Sequence, residues 1–139
     1  MSQERAEVLI LAGSESDRPV VEKATEVLDA AGVGYTFEVA SAHRDPDRVA
    51  ELARGAAGKG YKVVIAAAGL AAALPGVVAA HTTLPVIGLP VGAGPLRGID
   101  ALLAIAMLPP GVPVATVGID NGQNAAHLAL RILGRGPGR

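Results

Sequence analysis

Short apolar runs and helical stretches alternate from one end of the chain to the other. Val8 to Ala12 is unbroken aliphatic sequence, the mark of a strand buried on both faces. Gly13-Ser14-Glu15-Ser16-Asp17 interrupts it, and Asp17 ahead of Arg18-Pro19 predicts a helix N-cap with proline in the first turn. Val20, Val21, Ala24, Val27, Leu28 and Ala31 then recur at helical spacing until Gly32. Tyr35 to Ala40 reads as a second strand. Asp45-Pro46 repeats the cap-and-proline start, for a helix whose apolar side is Val49, Leu52, Ala53, Ala56 and Ala57 and which stops near Gly58 and Gly60. Lys62 to Ala67 is the third strand. A glycine- and alanine-rich loop follows and leads into a short helix ending near His81. Val86 to Leu89 is strand four, Ile99 to Leu108 helix four, Val114 to Ile119 strand five and Ala125 to Leu133 the last helix.

This order predicts an α/β protein: a three-layer, doubly wound, five-stranded parallel sheet with strand order 2-1-3-4-5. A single domain is expected over residues 1–133, with a flexible tail from Gly134 to Arg139. The chain of 139 residues suits one core. Half of its residues are apolar, yet Tyr35, Phe37 and Tyr61 are the only aromatic ones. The core must therefore be built from Val, Leu, Ile and Ala.

Charge and cysteine content narrow the function. The net charge is −1, with Lys/Arg and Asp/Glu nearly balanced, so neither a basic face nor an aromatic platform for nucleic acid is expected. The absence of cysteine removes disulfides, thiolate metal sites and a Cys nucleophile. Met1 to Glu7 is short and charged, unlike a signal peptide. The apolar stretches break before the ~20 residues of a membrane span. A cytoplasmic protein without membrane association is the expectation.

The chemistry-bearing residues gather in the loops after strands one, two and three. In a parallel sheet of this order those loops emerge together at one edge, beside the topological switch where ligands bind. Ser14, Ser16, Asp17, Ser41, His43, Arg44 and Gly69 are thus expected to converge. The Gly-Ser turn, with its N–H groups and two hydroxyls, suits a phosphate, although such a turn is also a common helix cap. Arg44 adds a forked cation, and Asp17 an acceptor for sugar hydroxyls. His43 is the acid/base candidate, against the plainer reading of a surface histidine. His81 and His127 fit helix-end or surface roles. Asp120-Asn121-Gly122 reads as a turn rather than a metal loop. No metal is expected.

GSESD at Gly13 to Asp17, SAHRDP at Ser41 to Pro46 and AAGLAAALPG at Ala67 to Gly76 resemble the family of N5-carboxyaminoimidazole ribonucleotide mutase, also called the catalytic subunit of phosphoribosylaminoimidazole carboxylase. The stretches LPVIGLPV, GIDALLAIAMLPPGVPVATV and NAAHLAL are similar to its second half, so the resemblance covers roughly Val8 to Leu133. It implies a flavodoxin-like fold, a homo-octamer with sites partly between subunits, and a phosphoribosyl aminoimidazole substrate. Neither metal nor organic cofactor is implied. By motif position, Ser14, Asp17 and Arg44 would bind the phosphoribosyl part, and Ser16 and Ser41 would line the same cavity. His43 would be the acid/base. The loop containing Ala68, Gly69, Leu70, Ala73 and Leu74 would hold the ring and carbon dioxide.

The chain departs from the family pattern at two loop positions. Leu70 stands where a second glycine is usual, and Ala73 where the mutase branch carries a histidine. Direct carboxylation of aminoimidazole ribonucleotide with carbon dioxide is therefore an alternative activity. Ala73-Leu74-Pro75 and Ile119 to Gly122 also resemble the mutase-like domain of nicotinate-nucleotide carboxylases, though that domain lacks the SAHR loop. A nucleotide-binding module without catalysis is the alternative from another class.

Overall fold

The computed structural model describes residues 6–136. It holds five parallel strands, β1 (Val8–Ala12), β2 (Tyr35–Val39), β3 (Val63–Ala68), β4 (Val86–Pro90) and β5 (Ala115–Thr116), in the order β2-β1-β3-β4-β5. Between and after them run α1 (Arg18–Ala30), α2 (Pro46–Gly55), α3 (Leu74–His81), α4 (Ile99–Ala106) and α5 (Gly122–Ile132). The expected doubly wound sheet is the observed one.

Alternation along the strands produces two cores. Val8, Ile10 and Ala12 of β1, with Val63, Ile65 and Ala67 of β3, face α1 and α5. Leu9 and Leu11, with Val64, Ala66 and Ala68, face α2, α3 and α4. Every residue of β1, β3 and β4 is buried, which is why these strands read as continuous apolar runs. Alanine and glycine let the helices approach closely. A β-carbon on Gly88 would lie 2.3 Å from Ile105 Cγ2, so α4 rests directly on β4.

Several local expectations change, and α5 begins at Gly122 rather than Ala125. β5 is two residues long rather than Val114 to Ile119, and both residues are exposed. It pairs on one side only, and Pro113 and Gly118 flank it, so few ladder bonds are available. α4 stops at Ala106 rather than Leu108, because Pro109 disfavours helical geometry at the residue before it. Asp17 precedes α1 but makes no cap bond to it. Of the expected tail, residues 137–139 lie outside the described residues. Gly134, at φ 71°, ends α5, and the Arg135 N–H donates to Leu130 O at 2.7 Å. The Arg135 side chain pairs with Glu7.

Candidate active site

The loops after β1, β2 and β3 leave the C-terminal edge of the sheet side by side because β1 lies between β2 and β3. They enclose a cavity of about 650 Å³. Ser14, Ser16, Asp17, Ser41, His43, Arg44, Ala68, Gly69, Leu70, Ala73 and Leu74 all line it. Two further grooves, about 520 Å³ between α1 and α5 and about 580 Å³ beside α2 and α3, contain none of these residues.

The first loop is a closed turn. A short 3-10 segment, Glu15–Asp17, follows Ser14. The Ser14 hydroxyl accepts the Ser16 N–H at 3.2 Å and lies 2.9 Å from the Ser16 hydroxyl. The Ser14 N–H donates to Asp17 Oδ2 at 3.2 Å, and the Asp17 N–H donates to Ser14 O at 3.1 Å. The N–H groups of Ser14, Ser16 and Asp17 are thus spent inside the turn. What it presents outward is the pair of hydroxyls. Asp17, 5 % exposed, is the one buried charged residue among those described. Burial pushes its carboxyl above the usual aspartate range, and the Ser14 N–H pulls the other way. Glu15, at the rim, is bonded to Arg18, which holds that carboxyl low. Arg18 also lies over the Phe37 ring, 4.8 Å from its centroid.

The second loop is pinned from below and free above. Ser41 Oγ accepts the Arg44 N–H at 3.2 Å, and Ser41 O accepts the Asp45 N–H at 2.9 Å. Asp45 Oδ1 then caps α2 through the Arg48 N–H at 3.4 Å. This fixes the backbone on either side of His43 while both exposed side chains, His43 and Arg44, reach outward. Among the described residues, nothing bonds the His43 ring or pairs with the Arg44 guanidinium. A histidine that no carbonyl engages is available to a ligand proton.

The third loop carries only Ala, Gly and Leu. Ala71 adopts φ 47°, and the Ala73 N–H turns back to Ala71 O at 2.6 Å. Leu74 is buried in the core, whereas Leu70 is exposed. Val39 and Ala93 also line the cavity. Neither carries a chemical signature. Ala93 could have been found only from its place, just past β4, the strand that neighbours β3.

The other singled-out residues lie elsewhere. His81 Nδ1 is 2.9 Å from Val77 O within α3, and His127 faces the α1–α5 groove. Asp120 Oδ1 accepts the Gly92 N–H at 2.7 Å, and Asn121 caps α5 through the Asn124 N–H at 2.9 Å, so that stretch serves as a turn and clamp. Among the described residues, no three His, Asp or Glu side chains gather as a metal site. No described helix is long and apolar enough to cross a membrane.

Residues 7–137 match the family model described as AIR carboxylase. The chain is 52% identical over 134 residues to the N5-carboxyaminoimidazole ribonucleotide mutase of Pyrococcus horikoshii, covering 96% of this chain and 76% of that one. It is 53% identical over 124 residues to the phosphoribosylaminoimidazole carboxylase of Schizosaccharomyces pombe, covering 89% of this chain and 22% of that longer protein. Among solved structures, Treponema denticola PurE superposes with a TM-score of 0.82 at 31% identity, covering 91% of this chain and 79% of that one.

Proposed function

The chain belongs to the AIR carboxylase family, and on that premise we propose that it converts N5-carboxyaminoimidazole ribonucleotide to 4-carboxy-5-aminoimidazole ribonucleotide, with His43 moving the protons. Its role is that of a mutase in purine synthesis. The observation that carries the mechanism is the meeting of three loops on one cavity, the first two bringing hydroxyls, a carboxylate, a guanidinium and an unengaged histidine and the third only Ala, Gly and Leu.

The chemistry fits this division. The substrate's carboxylate hangs on nitrogen as a carbamate. Protonation of that nitrogen breaks the C–N bond, releases carbon dioxide and leaves an electron-rich ring. The ring carbon attacks the carbon dioxide, the new C–C bond forms, and the proton on that carbon departs. His43 gives the first proton and takes the second, so the histidine ends as it began. Arg44 and the Ser14 and Ser16 hydroxyls hold the phosphate, Asp17 accepts from ribose hydroxyls, and Ser41 shapes the loop beneath His43. Ala68 to Leu74 surround the ring and exclude water.

Residues 1–133 form one catalytic domain in this reading, acting in the cytoplasm as a homo-octamer. A turnover assay tests the reaction. One sample receives N5-carboxyaminoimidazole ribonucleotide and a parallel one aminoimidazole ribonucleotide with bicarbonate, both followed by absorbance of the carboxylated product. Faster product formation from the first is the expected result. Ala73, where the mutase branch carries a histidine, favours the second reading of direct carboxylation. Product mainly from the bicarbonate sample would establish that reading.

A further inference from the structure

Carbon dioxide carries no charge and its oxygens are only weak hydrogen-bond acceptors, so hydroxyls and a guanidinium hold it loosely. Confinement by shape is then what keeps it beside the ring. The apolar wall is the place to look for what closes the space, and most of that wall is alanine and glycine. Its one large exposed side chain from the β3 loop is Leu70, 60% exposed and a member of neither core. A single exposed leucine is ordinary by itself, so what matters is how this one is held.

Leu70 is nevertheless held in place. It lies against Gly94 of the loop after β4, so closely that a β-carbon there would fall 2.4 Å from Leu70 Cδ2. The two loops also meet at Gly69, where a β-carbon would stand 3.1 Å from that of Ala93. On the other side, Ala71 sits at φ 47°, a left-handed conformation that costs a non-glycine residue roughly 1 kcal/mol. The Asp120 carboxylate accepts the Gly92 N–H at 2.7 Å and so clamps the start of the loop after β4 that carries Gly94. A strained turn on one side and the Gly94 seat, in a loop clamped at Gly92, on the other thus fix the exposed side chain on the cavity wall.

We propose that Leu70, seated on Gly94, is the gate that retains released carbon dioxide until the ring carbon captures it. This rests on the mutase reading above. Losing the gate does not stop the C–N bond from breaking. It sends more of the carbon dioxide into solvent and leaves aminoimidazole ribonucleotide behind.

The test is a partition measurement. Each protein is given N5-carboxyaminoimidazole ribonucleotide with carbonic anhydrase present to consume escaped carbon dioxide. The ratio of aminoimidazole ribonucleotide to carboxylated product is read after subtraction of the enzyme-free background. Leu70→Ala is expected to raise that ratio about tenfold, equivalent to a lowering of the escape barrier relative to capture. Leu70→Met, which keeps the volume, should hold the wild-type ratio. Gly94→Ala should raise it without touching Leu70 itself, by pushing the side chain off its seat. The ratio does not depend on how fast each protein consumes substrate, so a general loss of activity leaves it unmoved. An unchanged ratio in Leu70→Ala, with wild-type turnover intact, overturns the gate alone. A wild-type protein that forms no product from the carbamate overturns the mutase reading and the gate with it.

Discussion

His43 stands on a loop whose backbone is tied down by Ser41 while its own ring is bonded to nothing among the described residues. Such a ring contributes little to folding, and its replacement should separate chemistry from binding. His43→Asn is expected to abolish turnover while affinity for an unreactive phosphoribosyl ligand stays within roughly tenfold, about 1.4 kcal/mol. Calorimetric titration beside the turnover assay checks both halves, and an active variant would remove histidine from the mechanism. Arg44→Ala should do the reverse, weakening phosphorylated ligands by roughly tenfold or more while leaving dephosphorylated ones unchanged, as expected of a charge-assisted contact.

Asp17 sets stability against function. Burial raises its carboxyl pKa in the folded protein, so the folded state holds a proton that the unfolded chain has already released. Stability therefore falls as pH rises through the window just above the ordinary aspartate value, and stays lowered beyond it. Asp17→Asn removes the charge and keeps an oxygen to accept the Ser14 N–H. Thermal melts across pH should show a higher Tm at neutral pH and a shallower fall through that window, with ribose-bearing ligands bound about tenfold more weakly. An unchanged Tm profile would mean that Asp17 carries no such penalty. The polar part of the candidate site was legible in the sequence because Ser14, Asp17, His43 and Arg44 fall in the loops that follow two neighbouring strands. The apolar part of the candidate site was legible only in part: Val39 and Ala93 carry small aliphatic side chains with no chemical signature, and only the sheet order brings them to the cavity.

At the scale of elements, legibility followed burial. β1, β3 and β4 are covered on both faces and read directly from apolar runs. Of the two edge strands, β2 was read nearly to its bounds whereas β5 was read too long, because only Ala115 and Thr116 of its apolar run pair with β4. The helix contacts were equally silent. α1 and α5 lie together because Gly122 carries no side chain: a β-carbon there would fall 2.3 Å from Val20 O and 3.1 Å from the Ala24 N. Those atoms are backbone and cannot step aside by changing rotamer. Gly122→Ala should therefore cost about 1–3 kcal/mol in urea unfolding, the range for overpacking a close contact. A neutral effect would show that α5 can slide along α1.

At the scale of the whole molecule, the unresolved balance lies on α4. Ala101 and Ile105 enter the core, whereas Ile99, Leu103 and Met107 are 52%, 56% and 78% exposed at four-residue spacing. Leu96, just before the helix, extends the stripe. Beside it runs β5, an exposed sheet edge paired only with β4. An apolar stripe next to an open edge is a surface that proteins cover. In the octamer proposed above, another copy of the chain would cover it, and the symmetry of a closed assembly would repeat any change made there. Leu103→Glu is thus expected to yield particles of lower mass by light scattering, with an unchanged far-UV spectrum because the residue belongs to neither core. The loop that leads from β4 into α4 carries Ala93 and Gly94, which wall the cavity and seat Leu70, so dissociation should also lower turnover. A variant of wild-type mass would place the assembly contacts on another face, and one that dissociates with full turnover would make each cavity self-sufficient.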